Sequence, residues 1–253
     1  MDDLTARWLE NLERRHLADL TPSEVARALR AVSSCYVERR SKIAESGPLA
    51  SAGKRAAFAL FYGPLHFFVV RAVVRGIPGV LDDLDDIIDL GCGTGAAGAA
   101  WALEAGARRV TGFDRHPWAL KEAVSTYRDF RLQGTAHRRD IGSPAPTPRH
   151  AYRVSKSTGV LAAYAANELT EAGRGVLLAD LLAVRERGAR VLVVEPIAKR
   201  ALPWWPRWAS AVLHAGGRED EWRFPADLPA TQHAVARAAG LDPRELTARS
   251  LFF

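Results

Sequence analysis

Along the first third of the chain, apolar residues return at near-helical intervals. Leu4, Trp8 and Leu12 fall at steps of four, which turns them to one side of an α-helix. The run "TPSE" at 21–24 reads as a capping box. Thr21 is the N-cap, Pro22 takes the first helical position, where no backbone N–H is needed, and Glu24 reaches back to the cap. It predicts a second helix from Pro22 to about Arg40. A third apolar pattern covers 51–75, and Gly63-Pro64 inside it predicts a kink, because proline removes a helical hydrogen bond and clashes with the preceding turn. "GIPG" at 76–79 ends the helical part.

From Leu84 the pattern changes. Short apolar runs alternate with helical stretches, the sign of βα units around a mostly parallel sheet. Strands are expected near 86–90, 109–113, 135–138, 159–164 and 190–194, with helices near 96–105, 117–130 and 171–187. "SPAPTP" at 143–148 reads as a proline-rich loop, and no segment repeats at a fixed period. After 197 come a tryptophan-rich stretch, a helix near 229–239 and a closing strand near 245–252. The expected class is α/β, a mostly parallel sheet flanked by helices, with a helical N-terminal region over 1–78 and the sheet domain over 79–253.

Composition narrows this only a little. Of 253 residues, 48% are hydrophobic and 25% charged, the mix of a packed globular protein. The formal charge of +6 points toward anionic partners. Lysine stands only at 42, 54, 121, 156 and 199, so 30 of the 35 basic residues are arginine, a skew that genome base composition also produces. The two cysteines, Cys35 and Cys92, are too few for a disulfide framework or a cysteine-built metal site. No secretory leader opens the sequence, so a cytoplasmic setting is expected. The longest uncharged apolar run, the 15 residues between Arg55 and Arg71, falls short of the roughly 20 that a membrane span needs, and no membrane partner is expected.

Candidate chemistry concentrates in "IIDLGCGTGAAG", residues 87–98. A strand delivers the chain to a tight turn, and glycines let the backbone approach a ligand and open the next helix. "GCGTGA" fits the dinucleotide fingerprint G-x-G-x-x-A, and "GTGAAG" fits G-x-G-x-x-G. Asp114 ends the next strand, 19 residues beyond Gly95, where a carboxylate accepts hydrogen bonds from both hydroxyls of a ribose. NAD and S-adenosylmethionine share that ribose. Asp89, two positions before Gly91, separates them: a pyrophosphate has no use for an added negative charge, whereas a cationic amino-acid tail does. No Tyr-Lys or His-Asp hydride-transfer constellation accompanies the loop.

"DLGCGTG" followed by "VTGFD" resembles the first two motifs of the class I S-adenosylmethionine-dependent methyltransferases, over about 84–196 in strand order. The resemblance implies a Rossmann-like sheet and S-adenosylmethionine as cofactor. It implies that Asp89, Gly91, Gly93 and Gly95 hold the methionine portion and Asp114 the ribose. By the same logic Asp140, after the third strand, meets the adenine amino group, with Arg115, His116 or Trp118 flanking the ring. Asp140 also reads as a cap on the turn before Gly142, Trp118 as packing between helix and sheet, and Cys92 as a small packing residue.

In a methyl transfer the cofactor supplies the electrophile, and the protein mainly aligns the acceptor. Open α/β sheets bind ligands beyond the carboxyl ends of their strands. That puts Asn167 and Glu168 of "AANEL", and Glu195 and Pro196 of "VEPI", at the acceptor. Asn167 is the candidate for positioning it, since its amide accepts from an amine or holds a base edge. It reads equally as the cap of a helix beginning near Leu169.

The helical start with "LFYGPLHFFVVRAV", then "ANEL", then "VLVVEP", is similar to the methyltransferase-like family associated with the mitochondrial small ribosomal subunit and its bacterial relatives. That similarity implies ribosomal RNA or the small ribosomal subunit as partner. The C-terminal cysteine cluster of its mitochondrial members has no counterpart, because no cysteine follows Cys92. Between Arg128 and Lys156, seven Lys or Arg against two Asp, a net +5, would lie along a phosphate backbone or form a solvated face. "LPWWPRW" at 202–208, with Trp222, would stack on a base, close over a small substrate or cover the sheet edge. Three functions stay open: a methyltransferase acting on ribosomal RNA or a ribosome-associated substrate, a small-molecule methyltransferase, and an inactive cofactor-binding ribosome-assembly factor.

Overall fold

The computed structural model describes residues 2–38, 49–143, 153–197, 202–241 and 244–253. The proline-rich loop, apart from Ser143, lies outside them. Seven strands form one sheet in the order β3-β2-β1-β4-β5-β7-β6: β1 Asp86–Leu90, β2 Arg109–Asp114, β3 Gln133–Arg138, β4 Thr158–Ala163, β5 Arg190–Glu195, β6 Arg218–Pro225 and β7 Glu245–Phe252. The first five pair in parallel, and β7 runs antiparallel to both β5 and β6. Every residue of β4 is buried, as expected of a strand covered on both faces. This is the Rossmann-like α/β class that the sequence pattern implies. The chain leaves β1 toward β2 and later returns to β4 on the other side of β1. The order therefore reverses there, and the crevice outside those strand ends is where such sheets bind ligands.

The helices are α1 Asp3–His16, α2 Pro22–Glu38, α3 Ala52–Ala57, α4 Gly63–Gly76, α5 Ala96–Ala105, α6 Pro117–Asp129, α7 Glu171–Glu186, α8 Trp205–His214 and α9 Ala230–Ala238. On one face of the sheet, Trp8 of α1 meets Phe67 of α4 at 5.1 Å and Phe130, just after α6, at 5.0 Å between ring centroids. The helical start and the sheet thus share one core. On the other face, α7 and α8 bury Leu177, Leu181, Trp205 and Trp208 against Val160 and Val191.

Local chemistry accounts for the ends and bends. The capping box at α2 forms: the Thr21 N–H donates to Glu24 at 2.8 Å, and the Glu24 N–H donates to the Thr21 hydroxyl at 3.4 Å. The helix runs on through Gly63-Pro64, where the sequence predicts a kink, with a change of helical type just before it. A π-helical turn, Phe58–Tyr62, widens the helix so that the Gly63 N–H reaches the Phe58 carbonyl five residues back. Pro64 follows at the start of α4, and the Leu60 carbonyl, four residues back, accepts from the Gln232 side chain at 3.2 Å instead. The resulting helix, 52–76, is long and apolar enough to cross a membrane. Here its Phe67, Val70, Val73 and Val74 are fully buried, as in a core helix.

Two elements were not expected. The strand β6, "REDEWRFP", alternates charged residues with Trp222 and Phe224, and it hides its strand character behind its charge. The tryptophan-rich stretch supplies α8, whose Trp205 and Trp208 cover the sheet rather than a ligand. Trp222 packs beneath α4, so close that a Cβ on Gly76 would lie 2.5 Å from its ring.

Candidate functional site

β1 runs into the loop 91–95, and α5 begins at Ala96. Gly91 and Gly95 both have φ of 75°, a left-handed conformation that glycine adopts without a Cβ penalty. A Cβ on Gly91 would lie 2.5 Å from the Cβ of Ala165. The loops after β1 and β4 can therefore approach this closely only at a glycine. Asp114, at the end of β2, accepts from the Gly93 N–H at 2.9 Å with one oxygen and from the His116 N–H at 2.8 Å with the other. Its carboxylate is fixed between two loops before any ligand arrives.

A cavity of about 1300 Å³ opens at this edge of the sheet. It exceeds the roughly 300–1,000 Å³ typical of one small-ligand pocket, which leaves room for a cofactor together with an acceptor. Gly91, Gly93, Asp114, Arg115, Asp140 and Asn167 all line it, so six of the residues singled out from the sequence come together from four different strand ends.

Asp89 and Gly95 are not among the cavity walls. Side chains alternate along a strand, and Asp89 shares the face of Ile87, which packs into the helical layer with α5. Its Oδ2 accepts the Gly98 N–H at 3.0 Å, and it is 1% exposed. Burial pushes its pKa up to about 7; the Gly98 N–H opposes that rise and the neighbouring Asp114 adds to it. Asp89 thus braces α5 beneath the loop instead of facing a ligand tail. Gly95 caps α5 and packs against Tyr127 and Ala123.

Asp140 accepts the Gly142 N–H at 2.9 Å, the turn cap read from its position, and it also lines the cavity. His116 is also on the wall, and its Nδ1 accepts the Trp118 N–H at 3.2 Å, capping α6. Its pKa is lowered by partial burial, with Arg55 and Arg115 adding to the effect. Trp118 is not on the wall and lies edge-on to His16. Asn167 sits in a 3-10 turn, Ala166–Glu168, with its N–H donated to Glu195 at 3.1 Å. It caps no helix, because α7 starts at Glu171 and Thr170 is its cap.

The sequence reading missed the wall contributed by the helical region: Phe58, Tyr62 and His66, met from the sheet side by Tyr164. The aromatic density around Gly63-Pro64 was the available signal. Among the Trp residues of 202–208, Trp204 reaches the cavity.

Residues 87–192 match the family model described as a methyltransferase domain. No curated protein matches the chain. Among solved structures, the chain is similar to the methyltransferase domain of a bacterial Hen1 protein, at 14% identity, over 74% of this chain and 97% of that one, with a TM-score of 0.48. It is similar also to a putative RNA methyltransferase from Pyrococcus horikoshii, at 13% identity, 76% and 83% coverage and a TM-score of 0.44. A third likeness is to a glycopeptide N-methyltransferase complexed with sinefungin, at 17% identity, 74% and 86% coverage and a TM-score of 0.41. Residues 87–192 therefore carry a methyltransferase domain, in keeping with the sheet and the glycine loop around them. The cofactor of the domain at 87–192 is S-adenosylmethionine.

Proposed function

We propose that this chain transfers the methyl group of S-adenosylmethionine to an acceptor held in the deep cavity between the ends of β4 and β5 and the helical wall. The observation that carries this reading is the Asp114 carboxylate, locked by the Gly93 and His116 N–H groups on the cavity wall. That geometry suits two vicinal ribose hydroxyls, and the glycine backbone beside it leaves room for an amino-acid tail. Arg115, His116 and Asp140 flank the place of the adenine. When bound, the cofactor supplies a methyl carbon on a positively charged sulfur, an electrophile that needs no activating acid. The protein's work is then to bind, to exclude water and to align. Asn167 sits where its amide can orient an acceptor. Calorimetry with S-adenosylmethionine, S-adenosylhomocysteine and NAD tests the reading, in the cytoplasmic setting that the sequence suggests. Binding of the first two is expected, and binding of NAD alone would overturn it.

A ribosomal acceptor is the second reading, and one observation favours it. Arg128 at the end of α6, Arg131 and Arg138 before and on β3, the strand at one edge of the sheet, and Arg153 before β4 are exposed; the first three cluster around that edge. Arg139 is instead drawn inward, 3.6 Å from Asp180 and over the Phe113 ring, and Arg149 lies outside the described residues. If the three clustered arginines contact phosphates, replacing them together with alanine lowers the salt slope of RNA binding by about one unit each. An unchanged slope points to a small-molecule acceptor. Cofactor binding without transfer to any acceptor would instead mark an inactive assembly factor.

A further inference from the structure

Beyond Phe58, whose ring lies near Gly93, the aromatic wall of the cavity is given no role in holding the cofactor. The π turn and the start of α4 place Phe58, Tyr62 and His66 on it, with His66 6.3 Å from Phe58 and 6.1 Å from Tyr62 between ring centroids. From the sheet side, Tyr164 stacks on His66 at 3.9 Å with 9° between the planes. Tyr164 holds that place at φ 57°, in the left-handed region that a bulky side chain enters only at a cost. Such strain persists where the surroundings over-determine it, commonly at binding sites, and π turns concentrate there too. Among the described residues, neither the Tyr164 hydroxyl nor the His66 ring nitrogens have a hydrogen-bond partner, although both side chains border the cavity. Burial holds the His66 pKa near 3, so the ring is neutral at physiological pH and keeps one nitrogen as an acceptor.

Carboxylates also line this cavity. Glu195, wholly buried at the end of β5, is close enough to Tyr164 to raise its pKa further above the rise that burial causes. Glu168 and Glu245 line the cavity as well. Of the arginines on the cavity wall, Arg115 follows Asp114 at the cofactor side, Arg139 lies 3.6 Å from Asp180, and Arg174 is engaged with Glu171 and the Leu169 carbonyl. Aromatic faces attract cations through their quadrupole, and carboxylates do so directly. A phosphate or a carboxylate would be repelled from the same place.

We propose that the acceptor is an alkylamine, whose nitrogen is received between the His66–Tyr164 stack and Glu195 and donates one N–H to the His66 ring. The inference rests on the methyltransferase reading above. The amine enters as its ammonium ion and releases one proton to water. Its lone pair then forms a bond to the methyl carbon as the carbon–sulfur bond breaks, and that electron pair stays on sulfur. The products are an N-methylalkylammonium ion and S-adenosylhomocysteine. Positive charge thus passes from sulfur to a nitrogen that faces a carboxylate and ring faces, so the site is matched to the charge as the reaction develops it.

The test supplies labelled S-adenosylmethionine and undialysed cell extract to the intact protein, hydrolyses the products and identifies the methylated atom. Label on an alkyl nitrogen is the expected result. Label in a nucleobase, a ribose or a base-labile ester overturns the inference, and so does a protein that binds cofactor by calorimetry yet labels nothing. Failure to bind the cofactor is a different outcome, because it overturns the methyltransferase reading and this inference with it. A second measurement needs no turnover. Tetramethylammonium titrated into the S-adenosylhomocysteine complex should bind at least tenfold more weakly to Tyr164→Leu, with cofactor affinity within twofold of the parent. Equal binding of uncharged tert-butanol, or no loss in the variant, overturns the cation site. His66→Phe keeps the ring and removes the nitrogens. It should lower transfer at least tenfold at unchanged cofactor affinity, and undiminished transfer would overturn the role given to His66.

Discussion

Asp89 and Asp114 flank the same glycine loop, yet they are held in opposite ways. Asp114 stands at a strand end on the cavity wall with both oxygens receiving N–H groups. Asp114→Ala should weaken cofactor binding by roughly 1.5–3 kcal/mol, the range for hydrogen bonds to a charged group. Calorimetry on the folded variant measures this, and an unchanged dissociation constant would show that the carboxylate does not hold the ribose. Asp89 predicts a pH effect instead. Its folded pKa, about 7, lies above the ordinary aspartate value of 3.8, so between those values the folded state keeps a proton that the unfolded state has lost. Stability therefore falls as pH rises from about 4 to about 7, by a few kcal/mol at about 1.4 kcal/mol per pKa unit. Asp89→Asn, which still accepts from Gly98, should lack that slope in denaturant titrations across this range. A parallel dependence in both proteins would assign the slope to another group. The sequence made Asp114 legible, because a strand end has one outlet. It could not settle Asp89, whose direction depends on which face of β1 meets α5.

At the scale of elements, legibility followed the strength of local chemistry. The capping box, the glycine loop and the buried strands β1, β4 and β5 carry their own signals, and each formed where the pattern placed it. The strand β3 begins two residues earlier than expected, at Gln133-Gly134, because tertiary packing overrides two poor strand formers. The Tyr127 ring lies over Gly134, where a Cβ would come within 2.3 Å of it. β6 and α8 were invisible because charge and proline obscured their periods. The His66–Tyr164 stack was out of reach for another reason: it joins residues 98 positions apart. Two glycines yield opposite predictions from these surroundings. Gly134→Ala should destabilise by about 1–3 kcal/mol through overpacking. Gly175, inside α7, has open space where its Cβ would stand. Gly175→Ala should stabilise by about 0.5–1 kcal/mol through helix propensity alone. Denaturant midpoints for the two variants should move in opposite directions, and a shift of the same sign would mean that packing around β3 or α7 differs from this structure.

For the whole molecule, the shared core and the position of the cavity have a joint consequence. Trp8, Phe67 and Phe130 join the helical start to the sheet in one buried cluster. The cavity, too, is walled from both sides, by Phe58, Tyr62 and His66 on one and by the strand-end loops on the other. A chain so joined should lose both parts together, in one cooperative unfolding transition observed alike by tryptophan fluorescence and far-ultraviolet circular dichroism. A ligand bound between the two parts then stabilises both. At a free concentration a hundred times its dissociation constant, S-adenosylhomocysteine should add about 2.7 kcal/mol. For a chain of this size that amounts to roughly 5–10 °C in the midpoint. NAD at the same concentration should leave the midpoint in place, since the second phosphate and ribose of a dinucleotide would have to occupy the aromatic and acidic half of the cavity. Two separate transitions, with only the later one moved by S-adenosylhomocysteine, would show that the helical wall folds independently and closes over the cofactor without sharing in its binding energy.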